Sequence, residues 1–258
     1  MNYIKHKIVS NVCIITFNRP KVYNSINKIM AFELQEILDW CKENDKIRSL
    51  LLTGEGKAFC AGQDLQEITK PKGPALTDIV REHYNPIIER IRNIEKPVIC
   101  AVNGTAAGAG ANIALCCDIT IAGESSSFIQ AFSKIGLIPD SGGTFFLPRN
   151  IGMQKATALM MLGDKISASD AEKMGMIYKI SPDNVLLNEA FKIAAKLAEM
   201  PTKALGLTKR ALNQSLTNNL KNQLAVEEQL QSAASKTSDY TEGVTAFLEK
   251  RPAKFKGN

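Results

Sequence analysis

Histidine and tryptophan are nearly missing from this sequence, with two of the first and one of the second in 258 residues. His6 and His83 stand far apart, and no two of the six cysteines (Cys13, Cys41, Cys60, Cys100, Cys116, Cys117) have a C-x-x-C spacing. A zinc site at the usual ligand separations is therefore excluded, and no metal is expected. No Ser/His/Asp triad is visible, since His6 falls in a strand and His83 on what reads as a polar, solvent-facing helix side. Aromatics are only 6%, and no dense Lys/Arg run is interleaved with them, so a nucleic-acid surface is not expected. Gly 17 and Pro 10 rule out collagen-like or proline-rich material. The opening residues MNYIKHKIVSNV lack the apolar centre of a secretory leader. With unpaired thiols, the expectation is a reducing, cytoplasmic setting.

What is present points to a globular chain: 45% hydrophobic and 22% charged residues, and a length suited to one large domain or two small ones. The net charge is +6. From residue 201 to 258 nine Lys/Arg face five Asp/Glu, a local +4 that is either a solvated tail or an attraction for an anionic ligand. Pro97 to Cys117 carries no charge and is long enough to span a bilayer, but Asn103-Gly104 marks a turn inside it. It reads as buried strand, turn and helix, so no membrane partner is expected.

Residues 2–18 predict two β-branched strands. Asn24-Ser25 is expected to cap a helix from Lys28 to Asn44, followed by a strand at Ile47–Thr53 and a small-residue loop from Ala58 to Leu65. A single helix is predicted over Leu76–Ile94, a strand over Pro97–Val102, a helix over Gly108–Leu115, and strands at Cys117–Ala122 and Ser127–Phe128. Recurrent strand-then-helix units imply an α/β core with parallel pairing. After Pro148 the sequence turns helical: 154–162, 168–174, 185–199, 203–217, 220–236 and 239–249, with one strand at Met176–Ile180.

Three segments could carry chemistry. Gly104 to Gly110 lies between a strand and a helix but lacks the third glycine of a dinucleotide fingerprint and the Gly-Lys of a phosphate loop. Its small residues serve either tight helix packing or an oxyanion held by exposed N–H groups. Phe59 to Leu65 is a second small-residue loop after a strand, able to supply another N–H donor. Gly136-Leu-Ile-Pro-Asp140-Ser-Gly-Gly-Thr144 sets one carboxylate among apolar and small residues. Asp140 is either a helix N-cap or a general acid/base raised by Leu137, Ile138 and Pro139.

Taken together with Asn18-Arg19-Pro20-Lys21 and Glu242 to Arg251, these segments resemble the crotonase superfamily, the enoyl-CoA hydratase/isomerase family, over essentially the whole chain. The resemblance implies an α/β spiral of ββα units, residues 1–199, followed by a helical trimerisation region, residues 200–258. It implies a homotrimer or dimer of trimers, an acyl-CoA thioester as substrate, and no separate cofactor. By motif position it implies an oxyanion hole formed by the amides of Gln63 and Ala109. It also implies CoA contacts at Lys21, Val22, Ala61, Asp64 and Leu65, and at Phe247 and Lys250 reaching a neighbouring subunit.

Two departures bear on the reaction. Where the family's hydratases carry their two glutamates, this chain has Asn112 and Phe132. Asparagine cannot act as a base, and phenylalanine would exclude water. Asp140 stands where some isomerases of the family carry an aspartate. The implied activity is therefore acyl-CoA isomerisation with Asp140 as sole acid/base. The segments 59–65, 131–134, 136–140 and 238–240 are similar to the branch that converts a ring 1,2-epoxyphenylacetyl thioester to its oxepin. General enoyl-CoA double-bond isomerisation, residual hydration, and a non-catalytic RNA-binding or scaffolding role are the alternatives.

Overall fold

The computed structural model describes residues 3–69 and 73–258; residue 2, where the first predicted strand region begins, lies outside them. Strands β1 (Ile4–Val9) and β2 (Val12–Phe17) form an antiparallel hairpin. Its two-residue turn has Ser10 and Asn11 at positive φ, the twist that matches a right-handed hairpin. Three strand pairs follow: β3 (Ser49–Gly54) with β4 (Ala58–Cys60), β5 (Val98–Val102) with β6 (Thr105–Ala107), and β7 (Ile119–Gly123) with β8 (Ser127–Ile129). Short β9 (Lys165–Ser167) and β10 (Lys179–Ser181) complete the set.

The first strand of each pair joins a six-stranded sheet of order β1-β2-β3-β5-β7-β10, and the second joins a four-stranded sheet of order β4-β6-β8-β9. Pairing is parallel from β2 through β10 in the larger sheet. The chain thus climbs strand, strand, helix, and repeats, which is the α/β spiral of ββα units.

Both faces of the parallel strands β2, β3, β5 and β7 are buried, as parallel sheets require, while edge strand β1 is largely exposed. Alternation along β2 sends Cys13, Ile15 and Phe17 to one core with the Lys28–Glu43 helix. Val12 and Ile14 point the other way, with Leu51, Ile99 and Ile121, against Ala190, Ala194 and Ala198 of the Leu186–Glu199 helix. Alanine at that i, i+4 spacing lets the helix lie close enough for Ser49 Oγ to donate to the Ala194 carbonyl at 2.8 Å. All six cysteines are buried and unpaired, consistent with small apolar packing.

The Pro97–Cys117 run resolves into β5, β6 and the Ala109–Cys116 helix. No helix among the described residues is long and apolar enough to cross a membrane. The three last helices run Thr202–Ser215, Leu220–Ala234 and Ser238–Leu248, the latter two capped by Asn219 and Thr237 side chains. The chain end folds back on them: Arg48 donates to the carbonyls of Met200 and Phe255, and Asp239 accepts from the amides of Lys256 and Gly257.

Several expectations are corrected. The helix over 28–43 is capped by Asn27, whose side chain accepts from Met30 N at 3.0 Å, and not by Asn24-Ser25. Asn24 is buried instead and ties the Arg19 amide to the carbonyls of Glu55 and Ala58. The single helix over Leu76–Ile94 is broken into a turn at Leu76–Asp78, a π-helical segment at Ile79–Tyr84, and an α-helix at Asn85–Asn93. Pro86 has no N–H to continue an α ladder backwards, and the wider π turn absorbs the mismatch. That extra residue rotates His83 inward, so it is 2% exposed and meets Phe32 edge-on at 5.7 Å, contrary to its expected surface position. The expected strand at Met176–Ile180 is displaced to Lys179–Ser181. The helix that would follow an N-cap at Asp140 runs Gly143–Ile151 and carries Pro148 inside it.

Candidate active site

Two turns built from small residues meet at the centre of the spiral. Gly62 has φ +87°, and a Cβ placed on it would stand 2.8 Å from the Ala107 carbonyl oxygen and 3.4 Å from Ala109 N. Glycine is thus required there twice, by conformation and by space. Ile26 donates to the Gly62 carbonyl (2.7 Å) and accepts from Asp64 N (2.9 Å). In such a parallel bridge the residue between, Gln63, turns its own N–H to the opposite side. Ala109 is the first residue of its helix, after Gly108 at φ +53°, so its N–H has no partner within the helix. Among the described residues, no group accepts from the amide of Gln63 or of Ala109. These are the two amides that the family resemblance implies, and the fold brings the Gly62 and Ala109 turns together.

The Gln63 side chain is fixed at both ends. Its Oε1 accepts from the Tyr84 hydroxyl at 2.8 Å, and its Nε2 donates to Glu67 Oε2 at 3.1 Å. Burial first, then nearby charge including Asp140, pushes the Tyr84 phenol well above its usual range, so it remains a donor at neutral pH. Neighbouring Cys60 is also held protonated: burial pushes its thiol up to about 12, and its Sγ accepts from Gly62 N. It supplies no thiolate nucleophile.

Asp140 does not cap the following helix. That place belongs to Gly142, with no side-chain cap bond. The Asp140 carboxyl is raised above the ordinary carboxylate range, chiefly by burial, while the Ser141 hydroxyl donates to Oδ1 at 2.8 Å and opposes the rise. Ile138, one of the residues expected to provide that burial, is itself 82% exposed. The backbone of Asp140 is anchored to the Ala109–Cys116 helix, whose Asn112 donates from Nδ2 to the Asp140 carbonyl at 2.8 Å. Asn112 Oδ1 accepts from Gln130 Nε2, also at 2.8 Å. Asn112 lies one turn from Ala109, so the carboxylate and the free amide share a rigid support. Phe132 is buried, and its ring lies 3.7 Å from where a Gly108 Cβ would be. Replacing Asn112 by alanine leaves Gln130 Nε2 buried without its partner and the Asp140 carbonyl with the Gly143 amide alone; a loss of about 1–3 kcal/mol is expected, read as a lower midpoint in thermal or urea unfolding.

The proposed CoA positions fall in two groups. Lys21 and Val22 form a 3₁₀ turn beside the Gln63 loop, joined to it by the bond from Ala61 N to the Tyr23 carbonyl at 3.0 Å. Leu65 is exposed on the same rim. The Asp64 side chain is committed elsewhere: Oδ2 pairs with Arg19 at 2.8 Å, and Oδ1 caps the Leu65–Ile68 turn. Phe247 and Lys250 sit at the end of the Ser238–Leu248 helix, with no hydrogen bond to these loops. Among the described residues no three His, Cys, Asp or Glu side chains are placed to hold a metal ion.

Tyr84 and Gln130 are the site residues that sequence reasoning missed. Tyr84 lay inside an apparently regular helix, and only Pro86 hinted at the irregularity that turns it inward.

The spiral of ββα units thus sets two amides without acceptors among the described residues and the half-buried Asp140 carboxyl on neighbouring turns. The enoyl-CoA hydratase/isomerase family pattern matches residues 7–258, and the chain belongs to that family of enzymes. Among its relatives is the 1,2-epoxyphenylacetyl-CoA isomerase of Escherichia coli (strain K12), 47% identical over 260 residues, covering 100% of this chain and 99% of that protein. The trans-2-decenoyl-[acyl-carrier-protein] isomerase of Streptococcus mutans serotype c is 34% identical, covering 98% of each. The crystal structure of an enoyl-CoA hydratase from Bacillus anthracis superposes with a TM-score of 0.92 at 34% identity, covering 99% of this chain and 100% of that one.

Proposed function

We propose that the protein is an acyl-CoA isomerase in which Asp140 moves a proton while the amides of Gln63 and Ala109 hold the thioester oxygen. One observation carries this reading: a half-buried carboxylate residue, Asp140, is bonded through its backbone to the helix that presents the Ala109 amide. The positions that would supply a second carboxylate hold Asn112 and Phe132. On a 3-enoyl thioester, the Asp140 carboxylate takes a proton from C2. The electron pair delocalises into the thioester carbonyl and the C3–C4 double bond, giving a dienolate. The two N–H groups stabilise its oxygen, and Asp140 returns the proton to C4, leaving the conjugated 2-enoyl thioester. The raised carboxyl suits a group that must accept a proton and give it back. Phe132 over Gly108 limits water at the reacting carbons.

The acyl group is a ring 1,2-epoxyphenylacetyl unit, a reading supported by the relative from E. coli and by the sequence segments shared with that branch. No separate cofactor takes part, since CoA is a portion of the substrate. Lys21, Val22, Ala61, Asp64 and Leu65 line the CoA side, Asp64 through its backbone. Residues 200–258 assemble a trimer, or a dimer of trimers, in the cytoplasm. The 83% exposed Phe247 supports that assembly and, with Lys250, completes a neighbour's CoA site.

Proton NMR in D₂O with a 3-enoyl-CoA, a 2-enoyl-CoA and the ring-epoxide thioester tests the function. Double-bond migration and turnover of the epoxide without 3-hydroxyacyl-CoA are expected. Accumulation of 3-hydroxyacyl-CoA would overturn the isomerase reading.

A further inference from the structure

A regular α-helix would not bring residue 84 to the Gln63 loop. The π-helical segment Ile79–Tyr84 does, and it is held open from outside the site. Gln35, buried on the Lys28–Glu43 helix, donates from one amide nitrogen to the carbonyls of Glu82 (2.8 Å) and His83 (3.2 Å). The loosened turn thus loses no buried hydrogen bond by departing from α geometry. At its end stands Tyr84, fully buried, with its hydroxyl 2.8 Å from Gln63 Oε1. On the other side Gln63 Nε2 reaches the Asp64 carbonyl (3.2 Å) and Glu67 Oε2 (3.1 Å), while Glu67 accepts from the Lys28 amide. The side-chain amide of Gln63 is therefore clamped between a π turn and the start of a long helix.

We infer that Tyr84 is a positioning residue, whose hydroxyl fixes Gln63 through its side chain and so aims the Gln63 backbone N–H at the thioester oxygen. The physical need is plain. Gln63 follows Gly62, at φ +87°, and its N–H lies in the peptide plane joining the two, so its aim depends on how Gln63 itself is held. An N–H misplaced by a fraction of an ångström loses much of its worth to the developing oxyanion. Gln35 acts one step further out, by holding the turn that carries Tyr84.

The inference rests on the reading that the Gln63 amide holds the thioester oxygen, so the test includes a readout that needs no turnover. Isotope-edited infrared of bound [1-¹³C]hexanoyl-CoA should place the carbonyl band below its position in water for the native protein. In Tyr84→Phe, which keeps the ring and loses only the hydroxyl, much of that lowering should vanish. In kinetics, Tyr84→Phe and Gln63→Leu should each lower kcat about tenfold or more with little change in KM, in line with small losses of orientation. The double variant should be no worse than either single one, as members of one clamp are not additive. Gln35→Leu should move both readouts the same way. A band lowered equally in native protein and Tyr84→Phe, or strictly additive kcat losses, would overturn the positioning role alone. An unshifted band in the native protein would remove the oxyanion reading, and the positioning role with it.

Discussion

Asp140→Asn is expected to lower kcat for isomerisation by about 10²–10⁴-fold, the usual worth of a positioned acid/base, while acyl-CoA still binds. Asparagine matches the aspartate in shape and can still accept from Ser141, so the loop should keep its geometry; what disappears is the lone acceptor and donor of the migrating proton. The same variant carries an opposite effect on stability. Burial raises the Asp140 carboxyl in the folded chain above its unfolded value. A carboxyl shifted that way favours folding while protonated, and this contribution is lost as pH rises through the folded-state pKa. Ionising Asp140 therefore costs the folded chain more than the unfolded one, and Asp140→Asn removes that cost. Its unfolding midpoint should rise relative to the native protein at pH 7, and the difference should shrink below the ordinary aspartate range. The native kcat should climb with pH through one ionisation displaced above that range. Native-like turnover in Asp140→Asn, or a kcat profile with no such ionisation, would sink the role assigned to this carboxyl.

Gly110→Ala is the second change with a large expected effect, and it acts on fold and chemistry together. Gly110 is the second residue of the Ala109–Cys116 helix, where it lies against β4. A methyl group there would stand 2.8 Å from both Cβ and Sγ of Cys60, and closer still to the Cys60 carbonyl oxygen. The carbonyl belongs to backbone and cannot swing aside, so the helix start must shift away from β4. Overpacking of this kind costs about 1–3 kcal/mol, or more where backbone is forced to move. In a protein of this size each kcal/mol lowers Tm by roughly 2–4 °C. The same shift separates Ala109 N–H from Gln63 N–H. A displacement near 1 Å can lower the rate by about 10²-fold. Calorimetry and steady-state kinetics on one preparation check both parts. A variant with native Tm and native kcat would show that the close approach of these two segments is not needed.

The sequence determined an α/β core with parallel pairing from its local patterns, and the spiral of ββα units through the family resemblance. β-Branched alternation in β2, uncharged apolar runs at β3 and β5, and helical periodicity over 28–43 and 186–199 are local patterns, set by which face each residue must bury. It also made the motif loops legible, because Gly62 and Gly110 mark places where a side chain would collide with backbone, and Gly108 a place of positive φ. It left open whether Asp140 was a helix cap or a general acid/base. That choice depended on burial by chain segments remote in sequence, and on Asn112 gripping the Asp140 carbonyl from 28 residues away. Likewise, no local pattern distinguishes a π turn from an α turn. His83 and Tyr84 went inward because Pro86 and Gln35, the latter on another helix, made the wider turn satisfiable. Local patterns fix which residues are buried within an element. Only tertiary packing decides which distant polar groups meet across elements, and a site built from two backbone amides and one carboxyl consists of little else.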